Sequence, residues 1–287
     1  MKSIILDYFS LTKPRLASLN VIAAMSGILM SRSVNTLDFH FEVISYVAVL
    51  IAGAGALNCA WEVKSDLLME RTKMRAIPAG RISVASGVTF GLLLVCLGLI
   101  GLFFRVNTLS FLLGFISVLS YVLLYTPLKR KTHLAVYAGA IPGALPPVLG
   151  YTAVVGSFDS MAVTLFLILF FWQIPHFLAI SIYQADDYQN GGIIVYPNAK
   201  GIEITKNRMV LFSYLTCLTS TIPYFLGFSN KLFLLLGLLL GIFFIYFNST
   251  KITHILDSKI ELHKWAKKCF FASIIYLPLL FGVMVVF

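Results

Sequence analysis

Asn58, Glu62 and Asp66 recur at every fourth position where an apolar run gives way to a charged one. In a helix each such step turns only ~40°, so the three side chains line one stripe. An ionisable group within an apolar span costs ~2.5–3.5 kcal/mol or more, which marks such a stripe as functional. Hard oxygen ligands on one helical face suit Mg²⁺, which keeps phosphate oxygens and water in its shell. Arg71 and Arg75 follow, also four apart, and their planar forks match the oxygens of a diphosphate. The stretch reads as one half of a site for a magnesium-bound diphosphate. Asn58, Glu62 and Asp66 are its candidate metal ligands, with Asn58 and Asp66 also candidate catalytic residues. Glu70 and Lys73 read instead as a solvated ion pair on a helix end.

A second constellation centres on His176, Tyr183 and Asp187, spaced seven and four apart on one face. Pro175 within the same run can kink it and free carbonyls that line a cavity. His176 has two readings: a hydrogen-bonded packing residue, or a catalytic group that meets a substrate. Asp186 and Asp187 mark the polar end of the run and are both candidate metal ligands, Asp187 the first choice. Lys129 and Arg130, in the basic stretch Tyr125–Thr132, are candidate diphosphate ligands; positive charge that merely orients a membrane segment is the plainer alternative. Gly139–Pro147 holds three prolines and two glycines, and is expected to depart from a plain helix. Its small residues would admit either a flat ligand or a neighbouring helix. Gly191–Gly201 reads as a mobile cap or as a simple connector.

These groups must be positioned by membrane helices. Of 287 residues, 59% are hydrophobic and only 12% charged, far from the composition of a soluble domain. Nine spans are expected near 16–31, 43–64, 84–104, 107–125, 134–155, 161–183, 207–227, 231–248 and 269–287, all in one transmembrane domain over 1–287; merging or discarding one of the last three gives eight. With nine, 19 of the 22 Lys and Arg fall in the connections on one side, and Arg32, Arg105 and Lys231 on the other. That asymmetry places the N-terminus and the basic loops in the cytoplasm and the C-terminus outside. The net charge of +10 is therefore explained by orientation, with no nucleic-acid partner required. Cys59, Cys96, Cys217 and Cys269 contain no CxxC pair and read as packing residues. Spans 2 and 6 each end in acids on the same side, which suggests a shared central cavity.

With these motifs the sequence resembles the UbiA-type intramembrane prenyltransferases over nearly its whole length, and most closely their haem branch. Leu11-Thr12-Lys13-Pro14-Arg15 is similar to the family's opening motif. Asn58-xxx-Glu62-xxx-Asp66, followed by Met69-Glu70-Arg71-Thr72-Lys73-xx-Arg75, resembles its first acidic motif. Trp172-Gln173-Ile174-Pro175-His176-Phe177 is the stretch most specific to the haem branch. Glu62 stands where aspartate is usual, Lys64 where many haem-branch members have another acid, and Ala76-Ile77-Pro78 where Pro-Leu is usual. His176 occupies the place where quinone-type members begin a second acidic motif. The resemblance implies an all-α fold of nine helices around a central cavity in a bacterial cytoplasmic membrane. It implies farnesyl diphosphate as donor, haem b as acceptor and Mg²⁺ as cofactor, with His176, Trp172 and Tyr183 on the haem side. Membrane lipid surrounds such an enzyme, and a downstream haem-modifying enzyme or an oxidase assembly factor is a candidate partner. The competing readings are a prenyltransferase acting on an aromatic quinone precursor and a membrane transporter.

Overall fold

The computed structural model describes residues 4–32, 36–250 and 258–287. Lys2 and Lys251, both counted among the basic loop residues, lie outside them. The described residues are helical with no strand, as a chain that must satisfy its backbone hydrogen bonds within each span requires. They form two compact units, residues 1–157 with 187–193, and residues 158–186 with 194–287.

The first unit holds α1 (Ile4–Leu11), α2 (Pro14–Met30), α3 (Leu37–Trp61), α4 (Val63–Asp66), α5 (Val84–Gly101), α6 (Thr108–Leu119), α7 (Thr126–Leu128) and α8 (Ala135–Val155). Pro14 opens α2, where its missing N–H costs nothing. Thr36, Ser83 and Asn107 each cap a helix by accepting a hydrogen bond from a backbone N–H three residues on. α5 and α6 each widen at their ends into one π-helical turn, Leu102–Val106 and Ser120–Tyr125. Val43, Val47, Leu50, Val95, Val118 and Leu149 are buried together where α3, α5, α6 and α8 meet. At the other end, Asp7 of α1 is buried and accepts from Arg81 Nε with both carboxylate oxygens at 3.0 Å. That pair ties α1 to the loop that carries Arg71 and Arg75.

α8 corrects the expectation for Gly139–Pro147. The helix runs unbroken from Ala135 to Val155 with Pro142, Pro146 and Pro147 inside it, all buried. A proline strands the carbonyl four residues earlier. The one stranded by Pro146, on Pro142, is approached by the Ser117 hydroxyl of α6 at 3.5 Å. Small residues then let α2 come close: a side chain at Gly27 would overlap the Pro147 carbonyl, and one at Gly150 the Ala24 carbonyl. The stretch is filled by helix packing of the small-residue kind. Gly27→Val is expected to cost about 1–3 kcal/mol by forcing α2 and α8 apart; thermal unfolding in detergent micelles measures it.

The second unit holds α9 (Ser160–Tyr183), α11 (Tyr196–Lys200), α12 (Ile202–Ser220), α13 (Ile222–Phe225), α14 (Lys231–Ser249) and α15 (Lys259–Val286), and α10 (Ala185–Asn190) carries the chain across from one unit to the other. α9 packs on α12 and α15, and α14 packs on both α12 and α15. Asp159 caps α9, accepting from the backbone of Met161 and Ala162 at 2.9 and 3.0 Å. Within 191–201, Tyr196 and Pro197 of α11 are buried, so this part is a packed segment and not an open loop.

Among the described residues, seven helices are long and apolar enough to cross a membrane. The count of nine differs at two places. α2 is apolar but shorter, at 17 residues. The run expected at 207–227 is divided: α12 begins with Glu203, Lys206 and Arg208 and ends at Ser220, and Pro223 lies in the separate turn α13. α15 starts ten residues before the expected 269, because its charged first turns remain helical.

Candidate functional site

In the first unit the acidic stripe crosses a helix break. Glu62 closes α3 and opens α4 with φ −87° and ψ 1°. Its N–H still reaches the Asn58 carbonyl (3.0 Å), and its carbonyl takes the Asp66 N–H (2.8 Å). The i, i−4 ladder thus carries Asn58, Glu62 and Asp66 through the break on one stripe. Their exposures are 1%, 8% and 0%, so none is a solvated helix end. A buried acid persists only if it is paired, and each acid here has a cation. Arg75 Nη1 donates to Asp66 Oδ1 and Oδ2 at 3.0 and 2.9 Å. Because one nitrogen serves both oxygens, the other nitrogens of the Arg75 fork remain for a second anion. Lys129 Nζ contacts Glu62, and both side chains are nearly buried.

Asn58 is the hub between these pairs. Its Nδ2 donates to Glu62 Oε1 (2.7 Å) and to Thr126 Oγ1 (2.8 Å), and its Oδ1 accepts from Lys13 Nζ. Thr126 in turn donates to the Tyr121 carbonyl (2.8 Å), which the wide turn Ser120–Tyr125 leaves within reach. Such turns inside helices recur at functional sites. Lys129 follows three residues later and so lies on the same face as Thr126. Burial first, and the Lys13 ammonium second, draw the Lys129 ammonium down from 10.5 to about 7. The Glu62 carboxylate stands against it.

Residues 187–193 bring Asp187 to the same loop. Its Oδ1 accepts from the Glu70 backbone N–H at 2.9 Å, and Arg71 Nε stands 3.7 Å from its Oδ2. That distance is too long for a hydrogen bond, and Oδ2 is buried with no hydrogen-bond partner. Arg71 also lies over the Tyr188 ring, 5.8 Å from its centroid. Glu70 and Lys73 pair with each other at the surface (2.8 Å). Arg130 is exposed, and among the described residues its guanidinium makes no ion pair.

A magnesium ion fits these residues on two grounds. The donors Asn58, Glu62, Asp66 and Asp187 are all hard oxygens, and Asp187 Oδ2 is a desolvated carboxylate oxygen with no hydrogen-bond donor of its own. No three acids, histidines or cysteines form a ready-made metal cluster among the described residues. An ion held here would draw on phosphate oxygens and water to complete its shell, as Mg²⁺ ordinarily does.

The second unit holds the other expected residues. Asp186 belongs to it and not to the cluster around Asp187: it is 64% exposed and accepts from Lys259 Nζ at 2.6 Å. The Lys259 ammonium lowers its pKa below the usual carboxylate value. His176 lies in an aromatic setting. Its ring stacks on Trp172 (centroids 4.8 Å apart, planes at 23°) and lies 5.0 Å from Phe270. Tyr183 meets Phe270 edge to face at 5.8 Å, with Lys267 Nζ 5.9 Å from the Tyr183 centroid. His176 Nδ1 is 2.7 Å from Ser273 Oγ, and Trp172 Nε1 donates to the Ser273 carbonyl at 2.9 Å.

Three residues central to these networks escaped sequence reasoning as site residues: Lys13, Thr126 and Ser273. Lys13 had one available signal, as the residue before the proline that opens α2; it adopts a left-handed backbone (φ 51°, ψ 59°), which a non-glycine residue rarely does. Thr126 and Ser273 are common residue types in apolar helices and carry no such signal.

Long apolar helices with buried acids paired to lysines and arginines define a polytopic membrane protein with a charged site. The family model for "UbiA prenyltransferase family" matches residues 20–275, and the chain belongs to that family; it is an integral membrane prenyltransferase. It is 36% identical to the protoheme IX farnesyltransferase of Myxococcus xanthus over 97% of its length and 93% of that protein. The enzyme of the same name from Sorangium cellulosum is 40% identical over 83% of each chain, and that from Aquifex aeolicus 36% identical over 99% of this chain and 96% of its own. Among solved structures, one reported for digeranylgeranylglyceryl phosphate synthase matches with a TM-score of 0.80 at 19% identity, covering 99% of this chain and 98% of the other. A UbiA homolog from Archaeoglobus fulgidus, bound to GPP and Mg²⁺, matches at 0.69 with 15% identity over 97% and 99%. At those identities the likeness is one of fold.

Proposed function

We propose that the chain transfers the farnesyl group of farnesyl diphosphate to a vinyl group of haem b, making haem O. The observation that carries the diphosphate half is the cluster in which Lys13, Arg71, Arg75 and Lys129 surround Asn58, Glu62, Asp66 and Asp187. The acceptor half rests on the relatives named protoheme IX farnesyltransferase, more than a third identical over nearly the whole chain. Both units act as one catalytic domain, in support of which the family match runs through both.

Arg71, Arg75, Lys129 and the exposed Arg130 bind the diphosphate. Asn58, Glu62, Asp66 and Asp187 would hold a magnesium ion, whose charge when bound offsets that of the leaving diphosphate. The fixed cations do most of their work as negative charge develops on that group, because they need no reorganisation at that moment. The C–O bond breaks and leaves an allylic cation. The terminal carbon of the haem vinyl group attacks it, and water adds to the neighbouring carbon with loss of a proton. Farnesyl diphosphate, haem b and water thus give haem O and diphosphate. His176, Trp172 and Tyr183 present an aromatic face to the porphyrin. The excess of Lys and Arg in one set of loops supports a bacterial cytoplasmic membrane with the N-terminus and the cation cluster on the cytoplasmic side and the C-terminus outside.

The test is an assay in purified membranes with farnesyl diphosphate, Mg²⁺ and haem b, with mass detection of haem O. Prenylation of 4-hydroxybenzoate without any farnesylated haem would overturn the acceptor. His176→Ala is expected to lose haem use, with KM for haem raised about tenfold or more, and to keep its affinity for farnesyl diphosphate. Unchanged haem kinetics would reduce His176 to packing.

A further inference from the structure

His176 has one nitrogen committed and one open, and Ser273 decides which is which. Ser273 is fully buried on α15, and its Oγ stands 2.5 Å from the Phe270 carbonyl oxygen and 2.7 Å from His176 Nδ1. A carbonyl cannot donate, so the proton in the 2.5 Å contact must come from the serine. A hydroxyl has only one proton. Ser273 Oγ is therefore the acceptor in its second contact, and His176 Nδ1 carries the hydrogen. A neutral imidazole protonated at Nδ1 bears its lone pair on Nε2. Among the described residues nothing bonds Nε2, and it is not among the sealed, partnerless polar atoms. The ring cannot easily turn to exchange the two nitrogens, because Trp172 stacks on it at 4.8 Å and is itself held to the Ser273 carbonyl.

We infer that Ser273 is a positioning residue that fixes the tautomer of His176 and offers its Nε2 as an axial ligand to the iron of the acceptor. The inference deepens the haem reading above and rests on it. An imidazole whose Nδ1–H is bonded to a fixed oxygen is the usual arrangement of a metal-bound histidine, since the outer bond orients the ring and raises its basicity. Aromatic rings alone would hold a porphyrin in several orientations. One bond to the iron fixes the ring centre.

The experiment is titration of the purified full-length protein with haem b, followed by the Soret and visible bands in the ferric, ferrous and ferrous-CO states. The unaltered protein is expected to give a histidine-ligated spectrum, and to bind metal-free protoporphyrin IX about tenfold more weakly than haem b. His176→Gly should lose that spectrum, and added imidazole should restore it. Ser273→Ala should keep binding haem, but about tenfold more weakly and with a shifted ferrous band, while farnesyl diphosphate affinity stays unchanged. Ser273→Thr, which restores a hydroxyl, should recover the band. Equal affinity for haem and metal-free porphyrin, or an unaltered spectrum in Ser273→Ala, would overturn the inference while leaving haem as the acceptor. No haem binding by the unaltered protein would overturn the acceptor itself.

Discussion

Asp66→Asn is expected to insert into the membrane at normal levels and to lose about 10²–10³-fold in turnover. The substitution keeps shape and volume, so the packing around α4 has no reason to change. What it removes is a charge. Asp66 is completely buried, and its partner Arg75 is one-third exposed. The arginine therefore finds water when the carboxylate is gone, and the stability loss falls below the about 3–5 kcal/mol of a fully buried pair. Catalysis has no such relief. An amide is a poor ligand for Mg²⁺, and Arg75, freed from Asp66, no longer holds one fixed orientation towards the diphosphate. The measurements are haem O formation against Mg²⁺ concentration, and farnesyl diphosphate binding at saturating Mg²⁺. A variant with near-normal rates at ordinary Mg²⁺ would sink the proposed role of Asp66.

Lys129→Met is expected to be the most destabilising change at the site. It leaves Glu62, only 8% exposed, as a buried carboxylate without its cation, at a cost of about 3–5 kcal/mol. Adding Glu62→Gln removes the stranded charge, so the double variant should regain most of the melting temperature and none of the activity. If both singles and the double lost the same stability, the Glu62–Lys129 contact would not be the determinant. The single variant Glu62→Gln tests the charge on Lys129 in another way. Burial and Lys13 already draw this ammonium down to about 7, and loss of the carboxylate lowers it further. The variant's lysine therefore loses its proton at a lower pH than that of the unaltered enzyme. The fall in turnover as pH rises, expected near pH 7 for the unaltered enzyme, should move to lower pH in the pH–rate profile of the variant.

The spacing of residues made much of this visible in advance. Apolar runs divided by basic loops define a helical membrane protein, because backbone groups in lipid must bond within their own span. Asn58, Glu62 and Asp66 share a stripe because helical periodicity is local, and it survives even the break at Glu62. The same locality misled at α8. Prolines at 142, 146 and 147 argue against a helix when read alone, yet a hydroxyl from α6 and the close approach of α2 support an unbroken one. Asp186 and Asp187, neighbours in sequence and almost equal as candidates, are directed to different partners, Lys259 and the Glu70–Arg71 loop.

The sequence by itself determined which residues carry chemistry and how each lies along its own helix, since both depend on residue type and on contacts within four positions. Tertiary structure alone decided their partners. Lys13 meets Asn58 across 45 residues, Asn58 meets Thr126 across 68, His176 meets Ser273 across 97, and Asp187 meets the Glu70 backbone across 117. No periodicity spans such separations. Each contact forms because a buried donor or acceptor must be satisfied by whatever group the packed helices bring to it.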